Sequence, residues 1–283
     1  MILYRHPVFA AMPPALDLVD EFDPTPPSRR RPHAAAGTLP DHVESAVWRA
    51  NELGRQTTSV VSSGWEHLDH ELPGGGWPCQ SMTEVLTAQP SVVEWRLMSP
   101  ALRHVVAAGG QVVVVAPPRH PYLPGLMHEG LSERQFVWLQ ADAPAERLWV
   151  TEQLIKSNAC GALIAWLPQA RQEQLRRLQV CAQSCEGLVF LCRPEAAQHE
   201  ASAAPLRVHA TFGLDWEVKL RVLKRRGPIK DELISLPSIP GGLASVITPR
   251  LSKPSRLFAK EVAADVVGST VVPLRSRRHA PAH

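Results

Sequence analysis

The sequence predicts an α/β fold: a mostly parallel, twisted sheet covered by helices on both faces, closed by antiparallel strands at its C-terminal end. The apolar runs Gln111–Ala116 (QVVVVA), Gly161–Leu167 (GALIAWL) and Gly187–Cys192 (GLVFLC) do not alternate. That is the pattern of strands buried on both sides. Stretches of helical periodicity separate them, as the crossovers of a parallel sheet require. Leu206–Phe212 and Trp216–Lys224 alternate more and predict a pair of antiparallel strands.

Taken in order, Val47–Leu53 reads as a short helix. Val60–Gly76 (VVSSGWEHLDHELPGGG) leads through a glycine turn into the strand Met82–Leu86. Val92–Ala107 places Trp95, Met98, Leu102, Val105 and Val106 at helical spacing despite Pro100. Tyr122–Leu131 predicts a helix, Gln135–Gln140 (QFVWLQ) a strand, and Ala143–Ala159 a helix that begins near Asp142. Arg171–Cys185 is strongly amphipathic, with Leu175, Leu178 and Ala182 on one stripe.

The chain has 283 residues and 45% hydrophobic content, enough for one domain of ordinary size with extensions. Eight prolines fall in residues 1–46 and seven in residues 228–283. That density opposes long helices and strands. The expected organisation is a Pro-rich flexible arm over 1–46, a folded domain over 47–228, and a basic, largely disordered tail over 229–283. The arm carries one acidic-apolar patch, Ala15–Asp23. Net charge is +3, but residues 221–283 hold twelve Lys/Arg against four Asp/Glu. Such a basic end suits nucleic acid or an acidic protein surface, or is a solvated tail. The five cysteines contain no C-x-x-C pair, which argues against zinc and for buried reduced thiols. No apolar run reaches the roughly 20 residues a membrane helix needs, and no secretory pattern opens the chain. A cytoplasmic protein with no membrane contact is expected.

The order glycine turn, strand, loop, helix around Thr83–Arg96 (TEVLTAQPSVVEWR) is the scaffold on which a P-loop places G-x-x-x-x-G-K-[ST]. Here Thr87 opens the loop. Val92, Val93 and Glu94 stand where the second Gly, the Lys and the Ser/Thr belong. A phosphate grip needs small residues for backbone N–H donors and a Lys for charge. Valine resists φ > 0, and Glu94 would repel phosphate. Elsewhere His67, His70, His104 and His120 lack metal-ligand spacing, and Ser62, Ser63 and His67 lack a nucleophile elbow. No aromatic-plus-basic array for single strands stands out. Packing is expected of Trp65, Trp77, Trp95, Trp138, Trp149 and Trp166.

The PGGGWP turn, QVVVVAPPRHPY, CGALIAWLP, QLRRLQVCAQSCEGLVFLCRP and RVLKRRGP together resemble the ImuA family, over about residues 46–228. These are RecA-like accessory proteins of a bacterial mutagenesis cassette, encoded with ImuB and an error-prone replicative-type DNA polymerase. The resemblance implies a RecA-like fold. On that framework three further elements lose their chemistry. The place of the catalytic carboxylate reads Ala116, Pro117, Pro118 and Arg119. Trp166 stands where a Walker B Asp would be, and Cys192 and Arg193 stand at the γ-phosphate sensor.

The resemblance therefore implies a non-enzymatic adaptor without cofactor, metal or catalytic residues. Its implied partners are RecA and ImuB, the error-prone polymerase through ImuB, and DNA as a further direct contact, in translesion synthesis, DNA repair and the SOS response. Two alternatives stand beside it: a SulA-like cell-division inhibitor binding FtsZ, and a divergent RecA-like ATPase. Late-strand lysines of RecA-like proteins reach a neighbouring subunit, and Lys224 and Arg226 lie at the matching place. The cluster Arg221, Lys224, Arg225 and Arg226 is either a contact to RecA or DNA or a solvated strand end. Trp48 either packs on an adjacent subunit, as the resemblance implies, or on its own core. Leu257, Phe258 and Val262, with Val266, stand at near-helical spacing and would dock in a partner groove. Arg275–His279 (RSRRH) adds charge.

Overall fold

The computed structural model describes residues 59–256. A two-residue ribbon, β1 (Val60–Val61) against β2 (Trp77–Pro78), frames helix α1 (Glu66–Glu71). The chain continues through β3 (Met82–Thr87), α2 (Val93–Ala107), β4 (Val112–Val115), α3 (Leu123–His128) and β5 (Phe136–Leu139). Then come α4 (Pro144–Ser157), β6 (Ala162–Trp166), α5 (Gln172–Ala182), β7 (Leu188–Pro194) and a 3₁₀ turn at Glu195–His199. It ends with β8 (Leu206–Phe212), β9 (Glu217–Lys224), β10 (Leu233–Pro237) and α6 (Gly241–Ala244).

Eight strands form one sheet in the order β10-β9-β8-β3-β7-β6-β4-β5. The six from β8 to β5 run parallel to one another; β9 is antiparallel to β8, and β10 to β9. Val112 and Val114 face one core with Leu97, Met98 and Leu102 of α2. Val113 and Val115 face the other with Ile155 of α4 and Leu175 and Leu178 of α5. Helices on both sides leave each central strand no polar face, which is why those runs show no alternation.

Among the described residues, the strands and helices predicted from Met82 to Lys224 agree in type with those observed, with ends shifted by a few residues, as fraying and terminal caps produce. The helix predicted over Val47–Leu53 and the arm over 1–46 lie outside the described residues. The tail is different. The sequence predicts a largely disordered stretch from residue 229, yet β10 pairs with β9 from Leu233↔Arg221 to Pro237↔Glu217. Ile234 and Leu236 point inward and Leu233, Ser235 and Pro237 outward. Five alternating residues suffice for an edge strand, where a proline is tolerated. Among the described residues no helix is long and apolar enough to cross a membrane.

From β3 the chain crosses one face toward β4, while β7 beside it receives its chain from α5 on the opposite face and sends it on to β8. Strand order reverses there. Open α/β sheets place their ligands at the carboxyl ends of strands beside such a reversal. The carboxyl ends of β3, β6 and β7 are therefore where a site belongs.

Candidate functional site

At that edge β3 ends in Thr87, and Ala88–Val92 lead into α2. Glu94, the second residue of α2, has 0% exposure. Its side chain turns back under the loop. Oε1 accepts the Thr87 hydroxyl at 3.1 Å and the Ser91 N–H at 3.1 Å; Oε2 accepts the Val92 N–H at 3.0 Å. The Trp166 indole N–H, from the end of β6, donates to Oε1 at 3.2 Å. Four donors from three segments thus converge on one carboxylate. The positive end of α2 adds to the attraction. Ser91 carries the left-handed backbone, φ 65°, and Val92 sits at φ −130°. The turn that glycine would make is made one residue earlier, by serine, and the two N–H bonds to Glu94 hold it.

Val93 is buried, whereas Val92 is 36% exposed. Glu94 does more than the sequence reading gave it: its carboxylate fills the loop from within. A Glu two positions into a helix, after Thr and Ser, was the available signal, since acidic residues there satisfy free N–H groups.

Trp166 and Cys192 lie beside it on the same face of the sheet. Trp166 is buried, its ring 5.7 Å from that of Trp95. Cys192 lies on the same face; burial first, and the Glu94 carboxylate second, push its thiol well above the ordinary value. After β4, Ala116 and Pro117 are buried and Arg119 is exposed, with no acid between them.

Arg193 points to the other side of the sheet. Its Nη1 donates to Glu84 Oε1 at 2.7 Å, and its Nη2 to Glu200 Oε2 at 2.6 Å and to the Ala170 carbonyl at 3.0 Å. Arg207 Nε donates to Glu84 Oε2 at 2.5 Å. Arg207 also holds the carbonyls of Ala197, Gln198 and Glu200. Burial works against the Arg193 charge, but Glu84 and Glu200 outweigh it and raise its proton affinity above the ordinary value. The end of β7 is thus committed to a buried ion network under β3.

The basic cluster does not stand together as a free patch. Arg225 is half-buried; it donates to the Glu71 carbonyl, to Glu71 Oε2 at 3.1 Å and to the Pro228 carbonyl at 2.6 Å. Lys224 Nζ donates to the Ser202 carbonyl at 2.9 Å, and Arg221 pairs with Asp231 at 3.6 Å. Arg226 is exposed. Arg225 therefore ties the end of β9 to α1, with Lys230 Nζ also 2.6 Å from Glu71 Oε1. Trp48, Leu257, Phe258 and Val262 lie outside the described residues. Of the tryptophans expected to pack, Trp149 is instead 62% exposed on α4.

No protein-family model matches the chain, and no curated protein matches it.

Proposed function

We propose that this chain is a non-catalytic adaptor on a RecA-like domain, resembling the ImuA family. It would join RecA and ImuB, and through ImuB an error-prone DNA polymerase, during translesion synthesis in the SOS response. The observation that carries the reading is the Glu94 carboxylate bonded to the Ser91 and Val92 N–H groups. A phosphate at this loop would have to displace an anion that is covalently part of the chain. Trp166 on the same carboxylate and Arg193 committed to Glu84 support the same conclusion. The mostly parallel sheet with antiparallel strands at its end is the architecture this reading expects.

Titration calorimetry with Mg-ATP tests the first half: no heat is expected, and micromolar binding would restore the divergent ATPase reading. Pull-down against purified RecA, ImuB and FtsZ tests the second half. Retention of RecA or ImuB is expected. Retention of FtsZ alone would make the chain a SulA-like division inhibitor.

A further inference from the structure

Two backbone N–H groups, one hydroxyl and one indole N–H aim at a single buried point beside the start of a fifteen-residue helix. Such a convergence is an anion cradle in its own right. The cradle's ligand is tethered two residues from the Val92 N–H that it accepts, so its effective concentration is fixed by the chain and not by the solution. We propose that residues 87–94, with Trp166, form an oxyanion site whose resident ligand is the Glu94 carboxylate. Removing that side chain opens the site to a free small oxyanion. In the native protein the tether keeps the cradle filled. Beside it Val92 is partly exposed, and Arg96 donates to the Trp216 carbonyl at 2.8 Å with its guanidinium 5.0 Å from the Phe212 ring centroid.

Glu94→Ala deletes a CH₂–COO⁻ group, and acetate restores it atom for atom. A truncation cavity that matches a small molecule in shape and polarity takes that molecule up. The full chain carrying Glu94→Ala would be titrated with acetate, with inorganic phosphate, and with chloride at equal ionic strength. Tm and the NMR signals of the Ser91 and Val92 N–H groups and the Trp166 indole N–H would be followed. Acetate should recover most of the lost Tm saturably and return the three signals toward their wild-type positions, while leaving wild type and Glu94→Gln unmoved. An equal response to phosphate would also support the site and widen its ligand class. Acetate acting no better than chloride, or shifting wild type equally, would overturn the proposal. Should Glu94→Ala not fold at low salt, refolding yield reads the same contrast. Acetate-dependent recovery supports the site, and equal recovery in chloride refutes it.

Discussion

Arg193 Nη1 stands 2.7 Å from Glu84 Oε1, with side-chain exposures of 1% and 0%. The partners come from β7 and β3, adjacent parallel strands in the middle of the sheet. Breaking a buried pair from one side leaves an uncompensated charge, at a cost of about 3–5 kcal/mol. Arg193→Met should therefore lose about that much in urea unfolding, because Glu84 keeps only Arg207. Replacing Glu84, Arg193 and Arg207 together by apolar residues should lose much less than the sum of the single changes. A loss below about 1 kcal/mol for Arg193→Met would mean that the pair is not held as described.

That pair also marks where the sequence stops being legible. The valines of β4 announce a strand covered on both faces, because every position is apolar and each must be buried. Glu84 lies in a run of the same kind, and nothing nearby explains its charge. Its partners are 109 and 123 residues away, and only the strand order β8-β3-β7 brings them together. Glu94 was readable in part, since its neighbours Thr87 and Ser91 are local. Its bond to Trp166 spans 72 residues and was not. Periodicity reports burial, which is local; it does not report which charges meet across a sheet.

The end of β9 offers a pH test. The hydrogen bond from Lys230, and then the contribution of Arg225, hold the Glu71 carboxyl below its ordinary value of 4.5, against the opposing effect of burial. A carboxyl lowered in the folded state adds stability that is fully present above pH 4.5 and is lost as pH falls through the lowered value. Arg225→Ala should remove part of that acid-labile stability. Its Tm deficit against wild type should be largest near neutral pH and shrink as pH falls through the lowered value and Glu71 becomes protonated in both. Parallel Tm profiles for the two proteins would exclude the Glu71 linkage.

Thiol chemistry should sort the five cysteines by burial. Cys79, Cys160, Cys185 and Cys192 are buried, and burial raises all four thiols, Cys160 to about 11. Cys181 alone is partly accessible, on α5. Thiolates, not thiols, attack disulfide reagents. At pH 8 one fast-reacting group is expected, and Cys181→Ser should abolish that phase. All five should react once the protein is denatured. Two or more fast thiols in native Cys181→Ser would contradict the packing of β6 and β7.

Two glycines separate backbone strain from collision. Gly64 and Gly75 both have positive φ, 77° and 85°. A Cβ on Gly64 would lie 2.3 Å from Pro100 Cβ, whereas one on Gly75 would meet nothing within 4 Å. Gly75→Ala should cost only the left-handed conformation, about 1–2 kcal/mol. Gly64→Ala should cost that and roughly 1–3 kcal/mol more for overpacking against the Pro100 ring, which cannot rotate away. Pro100 lies inside α2, and the Trp65 indole N–H donates to the Leu97 carbonyl at 3.1 Å one turn before it. The segment before β2 is thus keyed to α2 by a close approach and a hydrogen bond at the same place. Since α2 carries Glu94 in its first turn, displacing it from Gly64 should also disturb the Trp166 indole N–H signal. That signal should shift in Gly64→Ala and stay in place in Gly75→Ala. Equal losses of stability in urea, with no shift in either, would show that the contact relaxes locally and does not set the helix that carries the carboxylate.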